Sequence, residues 1–283
     1  YNGQTVSVNQ FSQHVSREIA LPAGTDPKKI TTAIVVKEDG TTYHVPTDVY
    51  QKDGQWYARI SSLTNSVYTL IYNEATFADT KGRWFEAPVA EAASRTILNG
   101  YADGTFRGTN PITRAEFAAM IVNTLGLDRV GTSNYPDVKD ANWFYGVVSR
   151  ASEYKVVSGR LNGNFDPNAY ITRQEAMIMM QRAGEICGLV PGEGNAAANP
   201  AANEAAVATA ASSTAATLSN DYADQATIST WAREAVEYNL NVGLMKGSNG
   251  QLKPRDNITR AEAAVTILRL LQKSHLIDPR SAV

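Results

Sequence analysis

The chain has 283 residues and a formal net charge of −2, with 26 lysines and arginines against 28 aspartates and glutamates. Balanced charge without a long basic stripe argues against nucleic-acid binding, and no apolar run reaches the roughly 18–20 residues that cross a bilayer. The single cysteine, Cys187, can form neither an internal disulfide nor a thiolate metal site alone. Because the sequence begins with Tyr1 rather than methionine, we expect a fragment or a processed form.

Residues 1–73 have the alternating pattern of β-strands. Apolar and polar residues alternate in four runs, at 30–36, 42–45, 55–60 and 67–72, and residues 1–23 also look strand-like. Asp-Gly pairs at 39–40 and 53–54 lie between these runs and are typical of hairpin turns. We predict a small, sandwich-like, all-β spacer domain over 1–73.

From residue 77 the periodicity becomes helical, and one pattern occurs three times. Each copy contains an aromatic-x-Asp start, a tryptophan, a glycine 16 residues later, an Asp-Gly or Asn-Gly turn, and the segment Ile-Thr-Arg-x-Glu. The tryptophans are Trp84, Trp143 and Trp231, the glycines Gly100, Gly159 and Gly247, and the arginines Arg114, Arg173 and Arg260. We predict repeats at about 77–127, 135–190 and 221–272, in a domain over 74–283.

Each repeat is predicted to form two helices. The first begins near the tryptophan and ends at the glycine, taken as a left-handed cap, and the second begins at the Thr-Arg step. One such pair cannot bury its own apolar face, so three should close around a shared core. The predicted fold is therefore mainly α, a pseudo-threefold helical bundle with grooves between repeats, and α+β overall. The alanine-rich stretch 191–220 is predicted to be a flexible insertion.

Thr-x-x-Glu before an apolar run is a capping box, which explains the pairs Thr113/Glu116, Thr172/Glu175 and Thr259/Glu262. The arginine between them needs another explanation, because a cation at the first helical position costs roughly 0.3–1 kcal/mol. It either pairs with a carboxylate such as Asp79, Asp137 or Asp224, or joins the helix amides in an anion site. The tryptophans are either core anchors or groove-edge platforms for a sugar ring.

The three ordered copies resemble the S-layer homology (SLH) domain family over about residues 77–272. The resemblance implies non-covalent anchoring, outside the cell, to the wall or S-layer of a bacterium, expected to be Gram-positive. Its implied ligand is a secondary cell-wall polysaccharide with a pyruvate ketal on N-acetylmannosamine, which the arginine of each motif contacts. Repeat two has Gln174 in place of alanine, and repeat three is one residue shorter before Arg260. We therefore rank Arg114 and Arg173 above Arg260 as ligand contacts.

Three other functions fit the residues less well. A cell-surface glycoside hydrolase fragment would need paired carboxylates, but the repeated glutamates serve as caps and the three histidines are scattered. Self-assembly into a surface lattice is possible for the intact protein, and the Asp-Gly turns fall short of a calcium loop. We expect no catalysis within this chain and assign any catalytic domain to another part of the intact protein. We expect no cofactor or metal, no membrane insertion, and a monomer with an internal pseudo-trimer.

Overall fold

The computed structural model describes residues 10–129, 131–191 and 222–280. The predicted insertion at 191–220 lies outside these ranges, apart from Pro191. Within them, no helix combines the length and the apolar character needed to span a bilayer.

The described part of the β region contains two three-stranded antiparallel sheets. Its strands are β1 (Gln10–Ala20), β2 (Thr32–Val36), β3 (Thr42–Val45), β4 (Thr47–Lys52), β5 (Gln55–Thr64) and β6 (Tyr68–Ile71). One sheet has the order β1-β5-β4 and the other β3-β2-β6. The two sheets share an apolar cluster, formed by Ala33, Val35, Val45 and Ile60.

The hairpin turns lie where the sequence predicted them. Asp53 and Gly54 join β4 to β5 with φ values of 51° and 80°, the left-handed pair that a tight hairpin needs. Strand β4 itself was not predicted, because its segment Thr-Asp-Val-Tyr-Gln-Lys is largely polar, ends in two exposed residues and forms the edge of its sheet.

Six α-helices follow within the described residues, two in each repeat. They are α1 (Glu86–Ser94), α2 (Arg114–Leu125), α3 (Tyr145–Glu153), α4 (Arg173–Ile186), α5 (Arg233–Asn241) and α6 (Arg260–Lys273). The helices that pack together most extensively come from different repeats: α3 lies on α2, α5 on α4, and α1 on α6. The short helices of repeats two and three therefore pack on the long helix of the repeat before them. The short helix of repeat one packs on the long helix of repeat three, which closes the circle.

A ring of backbone hydrogen bonds closes the three repeats. The amide of Ile112 donates to the carbonyl of Ile258 (3.2 Å), that of Ile258 to Ile171 (3.1 Å), and that of Ile171 to Ile112 (3.1 Å). The three isoleucine side chains are almost completely buried in one apolar core with the helices. Equivalent residues thus meet at one centre.

The predicted mainly-α helical bundle is wrong. Helices make up 33% and strands 19% of the structure, which has six strands in two sheets beside its six helices, counted over the described residues. The reason is local: about twenty residues of turns and extended chain separate the two helices of each repeat, from Ser94 to Arg114 in the first. Helices this short, paired across repeats, surround extended segments instead of forming a bundle.

The β region and the repeats meet through buried polar groups. Arg95, fully buried, forms an ion pair with Glu91 (3.1 Å) and one with Asp278 (3.1 Å), and donates to the carbonyls of Thr31 (3.2 Å) and Thr47 (3.1 Å). One side chain therefore joins a repeat helix, the C-terminal segment and the strand region. The division into domains at residue 73 stays a prediction.

Candidate functional site at the repeat joints

All three long helices begin with a complete capping box. In α2 the Thr113 hydroxyl accepts the Glu116 amide (3.2 Å), and the Glu116 carboxylate accepts the Thr113 amide (2.8 Å). The same reciprocal pair opens α4 and α6. The cap uses one carboxylate oxygen, so the other oxygen of each glutamate remains available to a neighbour.

The next amides of each long helix donate to the following repeat. Arg114 and Ala115 donate to the carbonyls of Ala169 (2.9 Å) and Pro167 (3.0 Å). Arg173 and Gln174, and then Arg260 and Ala261, make the equivalent bonds. The amides at the helix starts are therefore engaged inside the protein, and an anion site built on them is not what the structure shows.

Arg114 is buried, with 4% of its surface exposed. Its guanidinium donates to the carbonyls of Phe165 (2.8 Å) and Ser158 (3.3 Å), and it forms an ion pair with Glu175 (3.1 Å). Arg160 pairs with the same carboxylate oxygen (3.2 Å). The first arginine thus joins repeat one to repeat two.

Arg173 repeats this arrangement one joint further along. It is 8% exposed, donates to the carbonyls of Leu252 (2.9 Å) and Lys246 (3.0 Å), and pairs with Glu262 (2.7 Å). Of the two explanations for the arginines, the ion pair therefore holds at two joints. The partners, however, are the capping glutamates and not the aspartates that were considered.

Arg260 differs at the third joint. It donates to the carbonyl of Asn99 (2.6 Å), and its guanidinium lies over the rings of Tyr101 and Phe106, 5.1 and 4.9 Å from their centroids. Among the described residues it forms no ion pair, and its buried Nε has no hydrogen-bond partner. Arg260 therefore has N–H groups without an acceptor in the described part of the chain, whereas every guanidinium nitrogen of Arg114 and Arg173 is hydrogen-bonded.

The aspartates Asp79, Asp137 and Asp224 fix the turn that precedes each long helix. Asp79 accepts the amides of Phe106 (2.8 Å) and Arg107 (2.7 Å), and the other two accept the equivalent pairs. Arg107 has a φ of 57°, and its counterparts Asp166 and Lys253 are also left-handed. Each carboxylate therefore stabilises an otherwise unfavourable backbone conformation.

The glycines have a different role from the one predicted. The left-handed residues after the short helices are Thr96, Lys155 and Gly243, so Gly100, Gly159 and Gly247 are not helix caps. They lie against an aromatic ring instead: a Cβ at Gly100 would fall 2.2 Å from Phe77, and the other two face Tyr135 and Tyr222 as closely as 2.7 and 2.3 Å. Their missing side chains make room for the ring that opens each repeat.

The three tryptophans lie on the surface. Trp84, Trp143 and Trp231 are 65%, 63% and 59% exposed, whereas the phenylalanines that follow the first two, Phe85 and Phe144, are buried. A core anchor would be buried, so the exposed indoles favour the platform role over the core role.

A cleft of about 440 Å³ is lined mostly by repeat three, with Trp84 from repeat one and Arg173 from repeat two. Trp84 lines it together with four cationic and two anionic side chains: Arg173, Lys246, Lys253, Arg269, Asp256 and Glu262. The cleft thus offers an exposed aromatic face and an excess of positive charge. Among the described residues, no group of three or more histidines, cysteines, aspartates and glutamates is arranged to hold a metal ion.

Sequence reasoning missed Lys246, Lys253 and Arg269. They occupy positions that differ between repeats; Arg269 corresponds to Arg182 in repeat two and to Asn123 in repeat one. A search for repeated residues therefore passes over them. It also gave no reason for Gln174, whose side chain accepts the Ser229 amide (3.1 Å) and donates to the Ser229 hydroxyl (3.2 Å), linking repeats two and three.

The family model described as the S-layer homology domain matches residues 76–118, 134–177 and 221–264. The chain carries three tandem S-layer homology domains. Their matched segments contain all three tryptophans, all three turn glycines and all three motif arginines.

Curated relatives include a surface-layer protein, an amylopullulanase and an endoglucanase. An amylopullulanase of Thermoanaerobacterium thermosulfurigenes is 30% identical over 74% of this chain and 10% of its own length. An endoglucanase of Bacillus sp. strain KSM-635 is 30% identical over 71% of this chain and 19% of its length. The surface-layer 125 kDa protein of Lysinibacillus sphaericus is 29% identical over 62% and 13%.

The chain spans between a tenth and a fifth of these relatives. Together, the SLH family and these relatives support a general role in anchoring at the cell wall, with a cell-wall polymer as the partner. The repeats themselves are an anchoring module and not a catalytic one.

Proposed function

We propose that the three SLH domains hold this chain on the cell wall by binding an anionic secondary cell-wall polysaccharide whose N-acetylmannosamine carries a pyruvate ketal. The observation that supports this proposal is the cleft that combines the exposed indole of Trp84 with four cationic side chains and only two anionic ones. Binding is non-covalent, and the protein resides outside the cell, in the wall or S-layer of a Gram-positive bacterium.

The chemistry of the cleft fits such a ligand. A flat indole can stack on the apolar face of a sugar ring while its N–H donates a hydrogen bond. A ketal carboxylate can meet the surrounding cations in charge-assisted hydrogen bonds, which are about twice as strong as neutral ones. A volume of about 440 Å³ falls in the range of small-ligand sites.

The other proposed contact residues extend this site to the remaining joints. Trp143 and Trp231 are as exposed as Trp84, and Arg114 and Arg260 occupy at their joints the position of Arg173. Gly100, Gly159 and Gly247 would contact the ligand through their backbone, since an aromatic ring fills the space of their absent side chains. Several such clefts on one module would add avidity.

Binding of the purified chain to wall polymer tests the proposal directly. Affinity would be measured for isolated polymer before and after mild-acid removal of the ketal, with wild type, Trp84→Ala and Tyr72→Ala. Tyr72, 59% exposed in the β region, is the matched aromatic control. We expect tight binding of the intact polymer, at least tenfold weaker binding after ketal removal, and a loss for Trp84→Ala only. Equal binding of the two polymers would refute the acidic ligand.

We further propose that this chain is the anchor of a larger protein and has no catalytic activity of its own, any catalytic domain lying elsewhere, and that it acts as a monomer. Incubation of purified wall with the chain should release no reducing sugar. Release that survives removal of contaminating hydrolases would contradict this.

A further inference from the structure

Arg269 stands in the same cleft as Trp84, on helix α6. Its Nη1 donates to the carbonyl of Leu244. Its Nε is buried and without a hydrogen-bond partner among the described residues, and no described carboxylate lies within ion-pair distance of it. A buried donor without an acceptor is costly, and the described residues supply no acceptor for this one.

Repeat two shows how the same position is satisfied internally. Arg182 follows Arg173 by as many residues as Arg269 follows Arg260. Its Nη1 donates to the carbonyl of Val156 (3.3 Å) and to the hydroxyl of Ser158 (3.1 Å).

In repeat three the hydroxyl acceptor is missing. Leu244 takes the place of Val156, and its carbonyl serves in the same way. Lys246 takes the place of Ser158, and an ammonium group can only donate. Two cations, Arg269 and Lys246, therefore line the cleft. The equivalent positions of repeat two hold an arginine and the hydroxyl to which it donates, Arg182 and Ser158.

Arg173, the motif arginine that lines this cleft, has no guanidinium nitrogen left to bind a ligand. Each nitrogen of the Arg173 guanidinium already donates, to Leu252, Glu262 and Lys246, and the side chain is 8% exposed. Glu262 compensates its charge at 2.7 Å. Of the two guanidinium groups that line the cleft, Arg269 is the one with unused donors.

We propose that Arg269, assisted by Lys246, is the carboxylate-binding group of the cleft that repeat three forms with Trp84 and Arg173, and that it, not Arg173, sets the preference for an acidic sugar there. This inference rests on the proposed function. The partner is a carboxylate borne on a sugar ring that stacks on Trp84, so that one residue provides the stacking surface and another the charge.

The position of Arg269 suits a carboxylate. A guanidinium presents parallel N–H groups that match the two oxygens of a carboxylate, and partial burial strengthens the interaction relative to water. Burial also lowers the pKa of Arg269, although a guanidinium remains charged at neutral pH. A bound carboxylate would compensate the charge of Arg269, with which no described carboxylate forms an ion pair.

The test compares Arg269→Gln with Arg182→Gln, its matched control at the same position in repeat two. The probe is pyruvylated wall polymer, used intact and after mild-acid removal of the ketal, with affinities from titration calorimetry. We expect Arg269→Gln to bind intact polymer roughly 10- to 100-fold more weakly, as loss of a charge-assisted hydrogen bond implies, and to bind ketal-free polymer as wild type does. Arg182→Gln should stay within about threefold of wild type on both.

The outcomes separate this inference from the proposed function. If wild type prefers the pyruvylated polymer and Arg269→Gln keeps that preference, the role of Arg269 is refuted while wall binding stands. If wild type binds neither polymer, or both equally, both proposals fail. Should Arg269→Gln melt well below wild type, Lys246→Gln replaces it, because Lys246 is exposed; an unchanged preference in that variant would equally refute the inference.

Discussion

Replacing Arg173 by alanine should weaken the fold, because this side chain joins two repeats. The variant loses an ion pair of 2.7 Å with Glu262 and two bonds to carbonyls at 2.9 and 3.0 Å. Breaking a buried ion pair costs about 3–5 kcal/mol. The Glu262 side chain is 34% exposed and can regain water, so we expect the lower end, about 3 kcal/mol, or roughly 6–12 °C in Tm for a chain of this size.

Arg260→Ala provides the matched control, since Arg260 occupies the same position and makes one hydrogen bond and no ion pair among the described residues. It should lose about 1 kcal/mol for this bond and up to about 1 kcal/mol for its contacts with the rings of Tyr101 and Phe106, which is less than the loss for Arg173→Ala. Urea unfolding followed by circular dichroism would measure both variants. Equal losses for the two arginines, or a loss below 1 kcal/mol for Arg173→Ala, would refute the role of the inter-repeat ion pair.

Three further predictions concern packing and pH. Gly100→Ala should lower the free energy of unfolding by about 3 kcal/mol, because its Cβ would lie 2.2 Å from an aromatic ring. The control Gly104→Ala should cost about 1 kcal/mol, because its φ is 79° but nothing lies within 4 Å of its Cβ. Differential scanning calorimetry compares the two variants. His44 is 2% exposed, and burial, with the charge of Arg95, lowers its pKa from 6.5 to about 3. Its neutral form stabilises the fold fully above pH 6.5, and this contribution declines as the pH falls towards 3, by about 2 kcal/mol at pH 5. Urea midpoints from pH 7.5 to 5 should show the decline. His44→Asn should make the decline shallower without abolishing it, because burial also lowers the pKa of His14, to about 4. Arg95→Met should cost about 3–5 kcal/mol, since it removes the donor of two buried carbonyls and breaks the ion pairs with Glu91 and Asp278. An unchanged urea midpoint would contradict the role of Arg95 in joining the β region to the repeats.

The sequence was sufficient to predict the repeats and where their long helices begin. Thr113 and Glu116 satisfy each other within four residues, so a local pattern determines a local structure. The hairpin at Asp53 and Gly54 was predictable for the same reason. Strand β4 was not, because a polar edge strand lacks the alternation that marks a buried face.

The arrangement of the helices depended on distant contacts. The sequence shows that an arginine follows each capping threonine, but not that Arg114 reaches Glu175, 61 residues later. The sequence also does not show that each short helix packs on the long helix of another repeat, because a pair of helices within one repeat has the same periodicity as a pair formed across two. The exposed tryptophans and the unpaired Arg269 became visible only once neighbouring repeats were in place.

The hydrogen-bonded circle through Ile112, Ile171 and Ile258 has a consequence for evolution and engineering. An open solenoid can gain or lose units at its ends, but a closed circle of three admits neither a fourth member nor a missing one without breaking every seam. A circular permutation, with new termini placed between two repeats, would by contrast preserve all three hydrogen-bonded contacts between the repeats. Duplication should therefore proceed in whole triplets.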